Sequence, residues 1–242
     1  MKQRGWAILL LLVAASMTVL VPSRLAPRVE RRADVSADGE SIAVTAADEV
    51  ILEYTIDEWR EWAEENLLSV LGGPVLIGPY EQPPSSFRMF GDAALSPDGE
   101  RLALSATTYA LLTTASVIGV LELDQRELSV VEEPAFGGVE SFHWAPDGRF
   151  IAYPLGTARA AGDFLRVDDA VKLEPVVRLD AANLLEAAGR SGIETGDDPR
   201  EWMPEVRDLD WSEGRLRFTS NGFGTGELSW SFDPRTGDLS LL

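Results

Sequence analysis

The side chains that most often perform catalysis or bind metals are scarce in this chain. There is no cysteine, which excludes thiolate chemistry, disulfides and cysteine-based zinc or iron–sulfur sites. His143 is the only histidine, and it lies in the short segment 141–144 beside apolar residues. We interpret it as a hydrogen-bonded histidine of the core or of an inner strand. We therefore expect neither a histidine metal cluster nor a Ser–His triad.

Carboxylates are the one abundant reactive group, with 40 Asp and Glu residues. Two adjacent pairs stand at 132–133 and 197–198, and the spacing of Asp208 and Asp210 predicts one face of a strand. No stretch has the alternating oxygen ligands of a calcium loop. Distant carboxylates can converge into an acid–base pair of the glycosidase kind, which keeps a hydrolase or lyase as an alternative. We assign no catalytic, cofactor-binding or metal-binding residue and expect no cofactor.

Glycines at 222, 224 and 226 form a motif that resembles a phosphate-binding loop. A phosphate-binding glycine loop is followed by a helix and, in the P-loop, by a lysine. Neither follows here, so we interpret the segment as a hairpin loop.

The net charge of −19 excludes one class of partner. Residues 1–32 are basic, so the rest of the chain is even more acidic than the total. Such a domain repels phosphate backbones, and we expect no nucleic-acid partner. The charge favours solubility or a cationic protein or peptide partner.

The N-terminus has the pattern of a secretion signal, with basic residues ahead of an apolar run at 6–21. The segment between Arg4 and Arg24, at ~1.5 Å per residue, just spans the ~30 Å hydrocarbon layer as a helix. No cleavage site is well placed. We therefore expect residues 1–24 to be an uncleaved signal anchor in preference to a cleaved signal peptide, followed by a linker at 25–33.

A short turn motif recurs at 35–45, 95–105 and 144–153, with a shortened copy at 211–219. Proline presets the φ angle at the start of the turn, and Asp-Gly supplies the positive-φ positions of a tight hairpin. An alternating apolar strand follows each copy, and the repetition indicates a repeat protein. The motif residues to which we assign a structural turn role are Asp38, Gly39, Pro97, Asp98, Gly99, Pro146, Asp147, Gly148 and Gly214.

A second hairpin follows each motif, so that each unit reads as a four-stranded meander. The predicted domain spans 34–242, with repeats near 34–80, 85–133, 135–180 and 201–242.

Two segments interrupt the strand pattern. Residues 55–71 are predicted to be a helix that starts with a capping box of Thr55 and Glu58, and residues 181–189 a second helix. Trp59 and Trp62 share one face of the first helix. They form either an insertion packed on the side of the domain or an exposed docking element, because tryptophan is enriched at interfaces.

The segments LSPDGERLALS at 95–105 and WAPDGRFIAY at 144–153 closely resemble the repeat of TolB-like β-propellers, the bacterial relatives of WD-repeat proteins. The resemblance implies that each unit is one blade around a central axis. We therefore expect an all-β fold, a β-propeller-like array of about four four-stranded repeats with helical insertions behind an N-terminal transmembrane or signal helix. An array that does not close stays open or is completed by association.

The expected function follows from two observations: the sequence predicts a repeat architecture, and it contains no recognisable set of catalytic residues. We expect a membrane-tethered or exported non-enzymatic interaction or sensing module with a protein or peptide partner. The hydrolase motif G-x-S-x-G is absent from the sequence. The alternatives are a carbohydrate-active hydrolase or lyase and a structural subunit of an envelope complex. The resemblance favours an extracytoplasmic domain on an inner-membrane anchor, whereas the arginines that follow the apolar run favour a cytoplasmic one, which stays open.

Overall fold

The computed structural model describes residues 30–77, 80–110, 113–131, 134–156, 164–193, 204–221 and 226–242. The described chain forms four antiparallel sheets, a separate two-stranded hairpin and two α-helices, which confirms the predicted all-β class with helical insertions. The predicted signal anchor at 1–24 lies outside the described residues. Neither of the two described helices is long and apolar enough to cross a membrane.

The first sheet has three strands in the order β1-β2-β3, and not the four that the repeat pattern predicts. Its strands are β1 (Arg31–Val35), β2 (Ser41–Ala46) and β3 (Glu49–Thr55). Helix α1 (Ile56–Val70) begins directly after β3, so the chain leaves this sheet after its third strand. The predicted capping box closes this helix start, because Thr55 accepts from the Glu58 N–H at 3.2 Å and Glu58 accepts from the Thr55 N–H at 2.7 Å.

The second sheet follows a two-stranded hairpin, β4 (Val75–Ile77) and β5 (Tyr80–Gln82), and a 3-10 turn at Pro84–Ser86. Its strand order is β10-β8-β7-β6, and β9 also pairs with β8. The strands are β6 (Phe87–Leu95), β7 (Arg101–Ala110), β8 (Thr113–Glu122), β9 (Glu127–Val130) and β10 (Ala135–Phe136).

The third sheet has the order β11-β13-β14-β15, and β12 also pairs with β13. Helix α2 follows it. The elements are β11 (Gly138–Val139), β12 (His143–Trp144), β13 (Phe150–Gly156), β14 (Leu165–Asp169), β15 (Glu174–Leu179) and α2 (Ala181–Arg190).

The fourth sheet is a regular meander in the order β16-β17-β18-β19. Its strands are β16 (Val206–Ser212), β17 (Arg215–Asn221), β18 (Glu227–Asp233) and β19 (Asp238–Leu241). A bulge between Arg207 and Asp210 interrupts the pairing of β16 with β17. Asp208 in this bulge has a φ of 53°, so the simple alternation that predicted Asp208 and Asp210 on one face does not hold there.

Three hydrophobic cores join the four sheets in sequence order. One lies between the first and second sheets with α1, one between the second and third, and one between the third and fourth with α2. The first strands of neighbouring sheets lie against each other, β1 on β6, β6 on β12 and β12 on β16. A closed ring of four sheets needs four cores. Within the described residues no core joins the fourth sheet to the first, so these residues form an open array.

The two end sheets differ from the two inner ones in their outer faces. Strands β13 and β14 of the third sheet are buried at almost every position, so that sheet is covered on both sides. In the first sheet Ile42 and Val44 are buried, whereas Asp34 and Glu53 on its outer face are exposed. The fourth sheet alternates in the same way, with Arg217 exposed on its outer face. Strand β3 also exposes Val50 at 62% and Ile51 at 44%, so the first sheet is not covered by polar residues throughout.

Candidate interaction surface

The repeated Asp-Gly turns build the hairpins between the first two strands of each unit. Only glycine adopts a positive φ in the three full copies, at 74° for Gly39, 69° for Gly99 and 68° for Gly148, so the expectation that aspartate shares this conformation is wrong there. The aspartate instead accepts a hydrogen bond from the N–H two residues on, as Asp147 does from Arg149 at 3.0 Å. This is the Asx type of turn.

The other turn copies vary this arrangement. At Asp38 the Ser36 hydroxyl and then the Glu40 N–H donate to the carboxylate and lower its pKa below the usual range. The shortened copy has positive φ at both Glu213, 55°, and Gly214, 75°, because it is a tighter two-residue turn. Pro97 and Pro146 are exposed in their turns, and Asp98 accepts from the Glu100 N–H at 3.1 Å.

Arginines from neighbouring sheets bind these turns. Arg31 donates to the Gly99 carbonyl at 2.7 Å, and Arg101 donates to the Gly148 carbonyl at 2.7 Å. Arg235 of the fourth sheet reaches Asp147 in the third at 3.0 Å. The turn motif therefore has a structural role at the contacts between sheets.

Two tryptophans link the first strands of consecutive sheets. The Trp144 Nε1–H donates to the Ala94 carbonyl at 2.9 Å, and the Trp211 Nε1–H donates to the His143 carbonyl at 2.9 Å. Trp144 is the last residue of β12 and Trp211 the second-last of β16, each just before a repeat turn, so the same motif position makes the same contact in two units. These bonds fix β6, β12 and β16, which we call the inner strands, relative to each other.

The inner strands bring polar side chains of three sheets together. Asp92 lies on β6, Ser141 and His143 lie at β12, and Asp210 lies on β16. The Ser141 Oγ lies 2.9 Å from the His143 Nε2, and the Phe142 N–H donates to an Asp92 oxygen at 2.8 Å. We call Asp92, Ser141, His143 and Asp210 the inner surface. Asp210 is exposed and the other three are partly exposed, so the set is accessible from solvent.

Burial shifts the pKa of two groups on this surface, Asp92 and His143. It raises the pKa of Asp92 although the N–H groups of Phe142 and Ala93 act in the opposite direction. Burial also lowers the pKa of His143 below 6.5, against the charges of Asp92 and Asp210, which raise it. The imidazole is therefore neutral at pH 7 and offers one donor and one acceptor nitrogen.

Ser141 and His143 form a hydrogen-bonded pair. Ser141 lies two residues before His143, the first residue of β12, and this i, i+2 spacing brings the two side chains to the same side of the chain. Within the described residues no hydrogen bond joins His143 to Asp92 or Asp210. The carboxylate contact that orients the imidazole in a serine-hydrolase triad is thus missing from this arrangement.

Trp59 and Trp62 take different positions. Trp59 is fully buried and meets the Phe87 ring edge-on at 5.9 Å, so it cannot serve as an exposed docking residue. The alternative interpretation, an insertion packed on the side of the domain, describes it correctly. Trp62 is partly exposed beside it, with ring centroids 5.4 Å apart.

A buried charged group inside the third sheet was missed by sequence reasoning. Arg166 Nε donates to Asp168 at 2.8 Å and the Tyr153 hydroxyl donates to the other oxygen of Asp168, and all three side chains are fully buried. Burial raises the pKa of Asp168, against the charge of Arg166. Because these residues lie away from solvent, we interpret them as structural.

Among the described residues, no group of three His, Asp or Glu side chains is placed to hold a metal ion. The carboxylate pairs at 132–133 and 197–198, and residues 222–225 of the glycine-rich segment, lie outside the described part of the chain.

No protein-family model matches the chain, and no curated protein matches it. Solved structures do resemble it. The β-propeller domain of Cps50 (Swd1) from Myceliophteria thermophila is 10% identical over 88% of this chain and 55% of that chain, with a TM-score of 0.48. The β-propeller domain of the Trilobed protease from Pyrococcus furiosus is 18% identical over 64% of this chain and 41% of that chain, with a TM-score of 0.38.

The Dos1 propeller is 10% identical over 85% of this chain and 39% of that chain, with a TM-score of 0.41. The chain thus spans between 39% and 55% of the length of these three structures. At such identities the likeness concerns the fold alone.

Proposed function

We propose that this chain is a non-enzymatic interaction or sensing module of the TolB-like propeller type that binds a protein or peptide. The observation that carries the proposal is the inner surface, on which three consecutive sheets each place polar side chains. Sites of recognition are commonly polar groups held by a rigid framework of repeats. The open ends of the array leave this surface reachable by a large partner.

The framework supports the proposal because it fixes the inner strands. The Trp144 and Trp211 hydrogen bonds hold β6, β12 and β16 in register with one another. A partner that binds there meets groups whose positions are set before binding, which lowers the entropic cost of association.

The chemistry of the inner surface favours a partner that brings hydrogen-bond donors and positive charge. Asp210 is exposed, and neutral His143 offers an acceptor beside the Ser141 hydroxyl. A basic protein segment can donate hydrogen bonds to these groups, and the overall charge of −19 attracts it.

Site-specific photo-crosslinking in the native cell tests the proposal. A crosslinking residue in place of Asp210 should capture one discrete partner. The matched control replaces Thr236, which is exposed in the turn between β18 and β19 and lies outside the inner surface, and it should capture none. Failure of the Asp210 position to crosslink in a folded, normally expressed protein contradicts the proposal.

We further propose that the apolar run within residues 5–22 holds the module at the membrane with the domain on the extracytoplasmic side. The basic and apolar pattern of this segment supports the proposal. An alkaline-phosphatase fusion after residue 33 should be active. If the fusion is inactive and becomes active only when the orientation of the apolar segment in the membrane is reversed, the domain lies in the cytoplasm.

One observation favours an enzyme as the second candidate. The charges of Asp92 and Asp210 both raise the pKa of His143, so carboxylates from two different sheets lie near the same imidazole. A carbohydrate-active hydrolase or lyase uses such a pair. If the protein turns over any glycan in a substrate panel, and Asp92→Asn or Asp210→Asn abolishes that turnover, the protein is such an enzyme and not an interaction module.

A further inference from the structure

The first sheet lacks a strand that the other three sheets have. In those sheets a fourth strand pairs with the third, β9 with β8, β15 with β14 and β19 with β18. In the first sheet the third strand is β3, and within the described residues no strand pairs with the side of β3 that faces away from β2. We call this side, over residues 49–53, the β3 edge. It is two strands away from β1, which contacts the inner strand β6, so it is distinct from the inner surface.

The side chains of the β3 edge are accessible to solvent. Val50 is 62% exposed and Ile51 is 44% exposed, whereas all five residues of β14, the third strand of the third sheet, are buried. Glu49 and Glu53 are exposed as well. Exposed apolar residues on an unpaired strand are a template for pairing with another chain. The two apolar residues therefore mark the part of β3 that a fourth strand would cover.

The backbone of β3 offers hydrogen-bonding groups on this edge. The Ile56 N–H donates to the Glu40 carbonyl at 2.8 Å. Because the bonding direction alternates along an antiparallel strand, Leu52 and Tyr54 also bond toward β2, and the N–H and C=O groups of Glu53 point away from it. An extended chain can bond to groups that point outward in this way.

The turn before β3 and the helix after it set the limits of the edge. Glu49 pairs with Ala46 across a two-residue turn, and such a turn is closed by a pair that exchanges hydrogen bonds. The N–H and C=O groups of the next residue, Val50, therefore point outward. At the other end the Thr55 N–H already bonds to Glu58 in the capping box. The free edge thus ends before α1.

The charges on the β3 edge indicate which kind of strand fits. Glu49 and Glu53 are the only charged residues of β3, and neither forms an ion pair with another described residue. Opposite charges on neighbouring strands stabilise their pairing, whereas like charges destabilise it. A strand that places basic residues beside these two carboxylates therefore fits, and an acidic strand does not.

Two other occupants fit this edge poorly. Symmetric antiparallel pairing with a second copy about Ile51, the centre of the edge, would place Glu49 of one copy opposite Glu53 of the other. The basic segment of this chain at 22–29 contains two prolines, which cannot donate the hydrogen bonds of a sheet. A segment of another protein remains as the occupant.

We propose that the β3 edge binds an extended segment of a partner protein, with alternating apolar and basic residues, which adds to the first sheet as its fourth strand. Backbone hydrogen bonds to Val50 and Glu53 fix its register. Basic side chains lie beside Glu53, and their aliphatic stems cover Val50. Apolar side chains on the other face extend the buried row that contains Leu52. This site goes beyond the function proposed for the inner surface.

Fluorescence anisotropy on the full chain in detergent micelles tests the proposal with a labelled, acetylated hexapeptide of alternating lysine and valine. We expect saturable binding, and at least tenfold weaker binding of the glutamate–valine counterpart. Strand addition uses one set of alternate backbone amides. Of two lysine–valine peptides that are N-methylated on the odd or on the even amides, at least one should therefore bind at least tenfold more weakly. No binding of the unmodified peptide, or unchanged binding of both N-methylated forms, overturns the proposal.

Two charge variants separate the β3 edge from general attraction to an acidic protein. Glu53→Lys should weaken binding of the lysine–valine peptide at least tenfold. Asp34→Lys is the matched control, because Asp34, Ala43 and Glu53 lie in one row across the same face of the sheet. Asp34 is two strand spacings of ~4.8 Å from β3. At about 0.1 M salt, where charges are screened over ~10 Å, the control should weaken binding less than twofold. Equal weakening by the two variants overturns the proposal.

A backbone variant tests the hydrogen bonds of the edge. Val50→Pro removes the outward N–H and leaves the bonds between β3 and β2 in place, and it should weaken peptide binding at least tenfold. Val50→Thr is the matched control, since it keeps the N–H and the β-branched shape, and it should bind as the wild type does. Wild-type binding by a folded Val50→Pro protein contradicts strand addition. If this variant does not fold, the two charge variants still decide.

Two further outcomes identify other causes. If sedimentation of the full chain alone shows a dimer that Glu53→Lys changes, the occupant is a second copy and the peptide proposal is wrong. Asp210→Asn should leave binding of the lysine–valine peptide unchanged. This variant therefore distinguishes failure of the β3 edge from failure of the function proposed for the inner surface.

Discussion

Arg101 of the second sheet donates a hydrogen bond of 2.7 Å to the carbonyl of Gly148 in the turn of the third sheet. The same guanidinium lies 5.3 Å from the centroid of the Trp144 ring, which precedes that turn. The repeat motif thus contributes both sides of a contact between sheets. The strand that follows one turn carries the arginine that binds the next turn.

Gly148→Ala should destabilise the protein by about 2 kcal/mol or more. The residue has a φ of 68°, which costs an L-amino acid ~1–2 kcal/mol, and a Cβ there would lie 2.9 Å from the Arg101 Nη2. Gly237→Ala is the control, because its φ is 77° but nothing lies within 4 Å of the added Cβ. Denaturant unfolding of both variants checks the expectation. Equal losses would show that the contact with Arg101 adds nothing.

Trp211→Phe should destabilise the protein by about 1 kcal/mol, because it removes the hydrogen bond to the His143 carbonyl and keeps most of the ring. Hydrogen exchange should rise in both β12 and β16. Trp230→Phe is the control, since its indole N–H bonds to Ser220 within the fourth sheet. Trp230 packs in the core between the third and fourth sheets, but it makes no hydrogen bond to His143, so exchange in β12 should rise less than in Trp211→Phe. Unchanged exchange in β12 after Trp211→Phe contradicts the role of this bond between sheets.

The pKa of His143 should lie below 6.5, and Asp92→Asn should lower it further. Burial disfavours the charged imidazole, and the carboxylate of Asp92 partly offsets this by raising the pKa. Because His143 is the only histidine, its ring signals in an NMR titration need no assignment by mutation. Asp147→Asn at the end of the third sheet should leave the titration unchanged. A pKa that rises in Asp92→Asn contradicts the arrangement.

Arg166→Met should cost about 3–5 kcal/mol at pH 7, because it leaves Asp168 in a buried site without its cation. The loss should shrink as the pH falls. A carboxyl whose folded pKa is raised takes up a proton more readily in the folded state, so the penalty is present above that pKa and vanishes below the unfolded value near ~3.9. Unfolding of wild type and variant between pH 8 and pH 5 checks the trend.

The double variant Arg166→Met, Asp168→Leu should be more stable than Arg166→Met alone, since it removes the unpaired carboxylate. Equal stability of the two variants would show that Asp168 is not the source of the penalty.

The parts of the fold that depend on neighbouring residues were predictable from sequence. Glycine at positive φ, aspartate as acceptor and the Thr55–Glu58 capping box act within a few residues, so their patterns marked the hairpins and the start of α1. Helix α2 was predicted within one residue of its end for the same reason.

The parts that depend on packing between repeats were not predictable. Arg166 and Asp168 alternate with Leu165 and Val167, which reads as a strand with one solvent face. The neighbouring sheets cover both faces, and the polar residues are buried. The indole bond from Trp211 to His143 joins residues 68 positions apart, and no local pattern records it.

The described residues form an open array of four sheets that leaves the inner surface accessible, and one distance tests this arrangement most directly. The chain has no cysteine, so Asp34→Cys and Arg217→Cys place spin labels only on the exposed outer faces of the first and fourth sheets. Pulsed electron resonance at low protein concentration should give an intramolecular distance on the order of 20 Å or more, since packed sheets lie only ~10 Å apart. A contact-range coupling between the two labels would mean that the first and fourth sheets close on each other, and it would contradict the account.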